Sequence, residues 1–226
     1  MKLTDKIVVI TGAAGAYGRA VSALFAAEGA SIAALDSYVS APEECAALMQ
    51  QALAQYGRID ILINCTPESG ALIPAAKTED DLYQATVMAC QTGVFYACRE
   101  AFRIFKQQGH GVCVNVGSTL GLGGAGGAAY EMAQHGLVGL TRNIALQYAG
   151  DPGIRINVVC SGPLEEPVSA GDDDYFMLTQ RKNKSFVPPV AAEDTAKAVL
   201  FLASDDASRI SGQFLQVDSG KYFKEA

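Results

Sequence analysis

The sequence has little positive charge and no long hydrophobic run. It contains 17 lysine and arginine residues against 24 aspartate and glutamate residues, a formal net charge of −7. Nucleic acids and anionic membranes attract a basic face, so neither is an expected partner. The apolar stretches are interrupted well before the roughly 20 residues that a membrane-spanning helix needs. No signal peptide precedes the first predicted strand, and the cytoplasm is therefore the expected location.

The sequence also lacks a cysteine arrangement typical of a metal site or a redox motif. Its six cysteines include no CxxC pair and no metal-ligand spacing. Most lie in apolar runs, where a free cysteine behaves as a small buried hydrophobic residue. Without a secretory signal, a reducing cytosol is favoured. We therefore expect no metal at Cys45, Cys65, Cys90, Cys98, Cys113 and Cys160.

The residues that are present indicate an α/β fold. Half of them are hydrophobic, which is enough to bury a sizeable core. Strand and helix patterns alternate, and the strand segments are continuous apolar runs. Such strands are typical of a parallel sheet covered by helices on both faces, so we predict a Rossmann-like doubly wound parallel sheet. The predicted strands are Lys6–Thr11, Ser31–Leu35, Asp60–Asn64, Gly111–Val116, Arg155–Cys160 and Gln213–Val217. The predicted helices are Gly18–Glu28, Pro42–Tyr56, Glu79–Gln107, Ala128–Tyr148 and Ala191–Leu202.

A glycine-rich turn follows the first predicted strand and leads into a helix. It reads TGAAGAYG over residues 11–18. Free backbone N–H groups and the helix dipole favour a phosphate group at such a position. Asp36, about 20 positions further on, would bond an adenosine ribose hydroxyl and disfavour a 2′-phosphate. The combination indicates a Rossmann-type dinucleotide site.

Further motifs are spread over nearly the whole chain. Besides the glycine turn and Tyr130, they are GRIDILIN at 57–64, GVF at 93–95, NVGS at 115–118, GLTR at 139–142, IRINV at 154–158, SGQ at 211–213 and VDSG at 217–220. Together they resemble the short-chain dehydrogenase/reductase family, whose glycine fingerprint is TGxxxGxG. The resemblance implies one domain over residues 1–226. It also implies that Gly12, Gly18 and Asp36 stand at the positions that bind NAD in the family.

On the adenosine side the sequence departs from the family at three places. Ala16 replaces the middle fingerprint glycine, which lets the backbone approach the pyrophosphate. Only 24 positions separate Asp36 from Asp60, and they hold one helix where the family has a helix, a strand and a second helix. We therefore predict six strands, with the outer edge strand and one helix deleted. Pro67 replaces a glycine against which the adenosine half packs, so the adenine pocket is expected to be open or absent.

The catalytic positions that the resemblance implies are also altered. Ser118 and Tyr130 match the family's serine, which holds the substrate oxygen, and its proton-exchanging tyrosine. Gln134 stands at the lysine position, one helical turn beyond the tyrosine, and Cys90 stands at the asparagine position. An unperturbed phenol has a pKa of about 10, and a neutral Gln134 cannot lower it as a cation would. Glu166 replaces a threonine that bonds the cofactor, and its carboxylate would repel the pyrophosphate.

We interpret the chain as a degenerate family member in which Ser118 and Tyr130 are vestigial. The first hypothesis is a non-catalytic subunit that supports an active paralogue through the family's four-helix interface, in a dimer or tetramer. Such an assembly would be similar to hydroxybenzylsuccinyl-CoA dehydrogenase, which has a non-catalytic subunit, and would act on a hydroxyacyl-CoA. Under this hypothesis we expect no bound cofactor. If the chain does bind one, we expect it to be NAD.

Two alternatives remain open from the sequence. The chain could be an active NAD-dependent alcohol or 3-hydroxyacyl dehydrogenase that uses Ser118 and Tyr130 with weakened assistance. It could also be a binding module that holds a small ligand in the former cleft without chemistry. The substrate is not readable, because the segment 165–187 that would cover it carries no chemical signature.

Overall fold

The computed structural model describes residues 1–67, 72–119, 122–124, 126–164 and 189–220. In these ranges six strands form one parallel sheet. They are β1 (Ile7–Thr11), β2 (Ser31–Leu35), β3 (Ile61–Cys65), β4 (Gly111–Ser118), β5 (Ile154–Ser161) and β6 (Phe214–Val217). Their order is β2-β1-β3-β4-β5-β6, which reverses between β1 and β3. Open α/β sheets bind ligands at the carboxyl ends of the strands beside such a reversal. The predicted Rossmann-like fold class is confirmed.

Helices cover both faces of the sheet. They are α1 (Ala16–Ala27), α2 (Pro42–Tyr56), α3 (Asp80–Val87), α4 (Gly93–Gln108), α5 (Ala128–Gln147) and α6 (Ala192–Ala203). One apolar cluster joins α1 and α6 to the sheet, and a second joins α2, α4 and α5 to the other face. Among the described residues, no helix combines the length and the apolar character needed to cross a membrane.

The link between β2 and β3 has the shortened form that the sequence predicts. Residues 36–60 contain α2 and no strand, so β2 lies at the edge of the sheet. Every residue of β1 and β3 is buried, whereas those of β2 are only partly buried or exposed. Because an edge strand contributes little to the central core, the sheet can form without the missing outer strand.

The predicted helix Glu79–Gln107 is interrupted. The structure has α3, then a π-helical turn over Met88–Thr92, and then α4. Single π turns inside α-helices are frequent at functional sites, and Cys90 lies within this one. Gly93 follows it at a close crossing, where an added Cβ would collide with the carbonyl oxygen of Val39.

At the amino-terminal end of the sheet, Asp60 joins three elements. The carboxylate of Asp60 is almost fully buried. It accepts a hydrogen bond from the backbone N–H of Ile7 at 2.7 Å, forms an ion pair with Arg58 Nε at 3.0 Å and contacts His110 Nε2 at 3.1 Å. This buried acceptor ties β1, the start of β3 and the start of β4 together.

Arg155, near the start of β5, ties the same end of the sheet to α6 and the segment after it. Its guanidinium donates to the carbonyl oxygens of Leu202 at 2.9 Å, Ser204 at 3.1 Å and Ile210 at 3.2 Å. The side chain is buried, and its donors meet the carbonyl groups at the end of a helix, where intrahelical partners run out. We call Asp60 and Arg155 the amino-edge residues.

Candidate active site

The glycine loop lies between β1 and α1 at the carboxyl edge of the sheet. Gly12 has a φ of +68°, a left-handed conformation that favours glycine. An added Cβ on Gly18 would collide with the backbone of Gly12 and Ala13. Glycine is therefore required at both predicted positions for α1 to begin this close to the loop. Ala16 is the first residue of α1, after Gly15 at the N-cap.

Residues 36–41, which we call the β2–α2 connection, run alongside the glycine loop. The backbone N–H groups of Gly12, Ala13 and Ala14 donate to the carbonyl oxygens of residues 37, 35 and 36 at 3.0, 3.0 and 3.2 Å. The chain itself engages these three donors, so they are not free for an anion. Asp36 is exposed beside the loop, and its contact with a ribose stays a prediction.

Tyr38, in the β2–α2 connection, lies over the glycine loop. An added Cβ on Gly12 would lie 2.8 Å from a ring carbon of Tyr38, and one on Gly15 would lie 3.0 Å from the Tyr38 hydroxyl oxygen. The aromatic ring therefore extends along the loop from Gly12 to Gly15. Tyr38 is not among the site residues predicted from the sequence. The signal that could have found it is an aromatic residue inside a connection shortened by a deletion.

The space that remains beside Tyr38 is small. Described residues of the glycine loop, Tyr38, Thr66 and Pro67 line a cavity of about 120 Å³, whereas small-molecule sites measure about 300–1,000 Å³. With Tyr38 in this position, this cavity by itself is too small for the adenosine half of NAD. The expectation of an open or absent adenine pocket stays a prediction, and Tyr38 occupies part of the space beside the loop.

Gln134, at the position of the family's lysine, is 1% exposed. Its Oε1 accepts a hydrogen bond from the backbone N–H of Ser118 at 3.3 Å, and its Nε2 donates to Thr66 Oγ1 at 3.3 Å. The Thr66 hydroxyl donates in turn to the carbonyl oxygen of Val116 at 2.8 Å. Gln134 therefore bridges the carboxyl ends of β3 and β4, and both its polar atoms have partners within the chain.

Tyr130 lies in the first turn of α5 and is fully buried. It clusters with Leu72, Cys90 and Ala133, so the structure brings together the predicted tyrosine and asparagine positions. The Cys90 thiol donates a hydrogen bond to the carbonyl oxygen of Pro67 at 3.6 Å. Burial raises the pKa of Cys90 to about 12. A neutral thiol is a single weak donor, whereas the amide of an asparagine offers two donors and an acceptor.

The remaining predictions fall into two groups. All six cysteines are free and buried, as predicted. Among the described residues, no group of histidine, cysteine, aspartate and glutamate side chains could hold a metal ion. Glu166 and the segment 165–187 lie outside the described residues.

The glycine loop lies at the reversal of strand order, a serine ends β4, and a tyrosine lies at the start of α5. This arrangement is that of a Rossmann-type protein of the dehydrogenase class. A family model described as enoyl-(acyl carrier protein) reductase matches residues 4–221. The chain belongs to the short-chain dehydrogenase/reductase family.

Relatives match along almost their whole length. A 3β-hydroxysteroid dehydrogenase from Eggerthella lenta is 31% identical over 260 residues, which cover 96% of this chain and 95% of the relative. A hydroxy(phenyl)methylsuccinyl-CoA dehydrogenase subunit, BbsD of Thauera aromatica, is 28% identical and covers 98% of both chains. The crystal structure of a levodione reductase superposes with a TM-score of 0.85 at 27% identity, covering 98% of this chain and 99% of that one.

Proposed function

We propose that the chain is a non-catalytic subunit that supports an active short-chain dehydrogenase/reductase chain in a hetero-oligomer. The observation that carries this proposal is the geometry of Gln134. In the family, a lysine at this position stabilises the tyrosine phenolate and bonds the nicotinamide ribose. Gln134 has no charge, and its amide already bonds the Ser118 N–H and Thr66. To contact a ribose it would have to break buried hydrogen bonds, each worth about 1 kcal/mol net.

The helices that family members use for pairing supply a surface for the partner. Phe95 on α4, and Met132 and Leu146 on α5, are exposed apolar side chains. The guanidinium of Arg99 lies 5.8 Å from the centre of the Phe95 ring. Aromatic residues, methionine and arginine are enriched at protein interfaces. An added Cβ on Gly139 of α5 would meet only open space, so a partner helix has room to approach there. The relative BbsD is itself a subunit of a dehydrogenase by name.

The comparisons favour a second candidate function, an active NAD-dependent dehydrogenase. The reported relatives are named as dehydrogenases and a reductase, and this chain keeps the serine and tyrosine positions as Ser118 and Tyr130. In that case the substrate would be a secondary alcohol or a 3-hydroxyacyl thioester. The two candidates agree on the fold and differ on whether this chain transfers hydride itself and on whether it pairs with an active second chain.

Native mass spectrometry of the complex purified from its source, combined with an activity assay of the isolated chain, separates the two candidates. We expect a fixed stoichiometry with a second family chain that retains a tyrosine and a lysine four residues apart. We also expect no oxidation of NADH by this chain alone with 3-oxoacyl-CoA or ketone substrates. A homo-oligomer that turns over NADH would overturn the proposal in favour of the active dehydrogenase.

A Gln134→Lys variant refines the assay. Under the proposal, the restored lysine alone does not produce turnover, because the adenosine side of the crevice is filled as well. Turnover by Gln134→Lys would show that the cofactor site is otherwise intact.

A further inference from the structure

We infer that Tyr38 acts as an internal occupant of the nucleotide site and excludes adenine nucleotides from the glycine loop. This inference deepens the proposed function and rests on it, because a subunit that transfers no hydride has no need of the dinucleotide. It concerns the adenosine side of the crevice, whereas the proposed function is carried by Gln134 on the nicotinamide side.

The first support is the backbone of the connection that carries Tyr38. The hydrogen bonds from Gly12, Ala13 and Ala14 to residues 35–37 extend the pairing of β1 with β2 beyond the strand ends. They hold the connection against the loop up to residue 37, which directly precedes Tyr38. The ring therefore extends over the loop from a fixed backbone.

The second support lies on the other side of Tyr38. Val39 is 4% exposed and belongs to the core shared by α2 and α4. An added Cβ on Gly93 would lie 3.0 Å from the Val39 Cβ and would collide with the Val39 carbonyl oxygen. The residue after Tyr38 is thus buried where α4 begins. Tyr38 cannot leave the loop by a shift of the whole connection without uncovering Val39.

Glu44, in the first turn of α2, fixes the end of the connection. Its carboxylate accepts hydrogen bonds from the backbone N–H and the hydroxyl of Ser40, at 2.8 and 2.9 Å, and from the backbone N–H of Ala41 at 3.3 Å. These bonds to Ser40 lower the pKa of Glu44. A carboxylate that caps its own helix in this way orders the two residues before α2.

The arrangement has a direct consequence for nucleotide binding. A ligand that approached the loop between Gly12 and Gly15 would have to displace the Tyr38 ring. Its apparent dissociation constant is then the intrinsic value divided by the fraction of molecules in which the ring is displaced. If one molecule in a hundred has the ring displaced, affinity falls about a hundredfold. Removing the ring should restore that factor.

Isothermal titration with ADP-ribose tests the inference on the full-length chain. ADP-ribose carries the adenosine, the pyrophosphate and the terminal ribose but no nicotinamide. Gln134 is the same in every chain compared, so differences in binding among the variants depend on Tyr38. We expect no saturable binding by the wild-type chain. Tyr38→Ala and Tyr38→Ser, which both remove the ring, should bind ADP-ribose at least about tenfold more tightly. Tyr38→Phe keeps the ring and should behave like the wild type.

Tyr83→Ala is the matched control, because Tyr83 is an exposed tyrosine on α3. It should leave ADP-ribose binding unchanged, and thermal melting should show that each variant is folded. Folded Tyr38→Ala and Tyr38→Ser chains that bind no more tightly than the wild type would overturn the inference. So would a wild-type chain that binds ADP-ribose as tightly as they do. Wild-type binding as tight as that of Tyr38→Ala and Tyr38→Ser, without NADH turnover, would overturn this inference alone and leave the proposed function standing.

Discussion

The two ends of the sheet use their buried polar groups for different partners. At the amino-terminal end, Asp60 and Arg155 bond the backbone of neighbouring elements and hold the strands in place. At the carboxyl edge, Gln134 and Thr66 bond each other and the ends of β3 and β4. Tyr38 covers the glycine loop at the same edge. At both ends, therefore, these buried polar side chains have hydrogen-bond partners within the chain.

In an enzyme of this architecture the carboxyl edge has a different requirement. Polar groups there face a substrate and a cofactor, and such preorganised sites usually lower the stability of the fold. A carboxyl edge whose polar groups bond one another should instead stabilise the fold as the amino-edge residues do. Substitutions of these buried polar residues should therefore lower the free energy of unfolding at both ends, and denaturation experiments can measure this.

The largest effect is expected at the amino edge, from Arg155→Ala. This substitution removes a buried guanidinium and its hydrogen bonds to three carbonyl groups. Loss of charged hydrogen bonds of this kind costs about 3 kcal/mol of the free energy of unfolding. In a chain of this size that lowers Tm by roughly 6–12 °C. Thermal and urea denaturation measure it, with Arg142→Ala as the control, because Arg142 is exposed on α5. If Arg155→Ala and Arg142→Ala had the same Tm, the amino edge could not serve as the reference for a stabilising end of the sheet.

The next effect tests the carboxyl edge directly. Gln134→Leu keeps much of the side-chain volume but removes the hydrogen bonds to Ser118 and Thr66. We expect a loss of about 2 kcal/mol in the free energy of unfolding. Gln147→Leu, on an exposed position of the same helix, should change it by less than about 0.5 kcal/mol. If Gln134→Leu were as stable as the wild type or more so, the carboxyl edge would behave as a ligand site.

The sequence predicts the fold because its signals are local and repeated. Apolar runs such as those of β1 and β3 identify buried strands, and the short interval between Asp36 and Asp60 is enough to predict the missing edge strand. The interruption of the long helix at Cys90 was missed, since a π turn has no distinct periodicity in a helical pattern. Apart from this helix, the described helices and strands begin and end within a few residues of the predicted bounds.

The site was only partly predictable. The positions of Ser118, Tyr130 and Gln134 follow from motif spacing along the chain. The bond between Gln134 and Thr66 joins residues 68 positions apart, and Tyr38 meets the glycine loop only because β1 and β2 are paired. Such contacts depend on the packing of separate elements. The sequence therefore shows that the family's lysine is missing, but it does not show what occupies the space.

A smaller effect concerns the connection that carries Tyr38. Glu44→Gln removes the charge that accepts the Ser40 hydrogen bonds, and we expect a loss of up to about 1 kcal/mol at neutral pH, as for other helix caps. Because folding lowers the pKa of Glu44 from 4.5, its contribution is present above about pH 4.5. It is lost as the pH falls through the lower folded-state value.

Urea denaturation of the wild type and the Glu44→Gln variant, at neutral pH and below pH 4.5, should show this difference shrinking with acidity. Glu43→Gln is the matched control, since Glu43 is exposed in the same helical turn. A difference between wild type and Glu44→Gln that is independent of pH would mean that the carboxylate does not hold the connection.

The last and smallest effect concerns thiol reactivity, compared between the carboxyl edge and the core strand β4. Burial raises the pKa of Cys65 and Cys90, both at the carboxyl edge, to about 12, and it also raises the pKa of Cys113 in β4. At pH 8 a thiol with a pKa near 12 is ionised in only about one molecule in ten thousand, and the thiolate is the reactive form. A thiol reagent should therefore label none of these three quickly in the native chain, and all of them in denaturant. Fast labelling of Cys65 and Cys90 while Cys113 stays protected would mean that the carboxyl edge opens independently of the core, as a ligand site does, and that Tyr38 and Gln134 close it only part of the time.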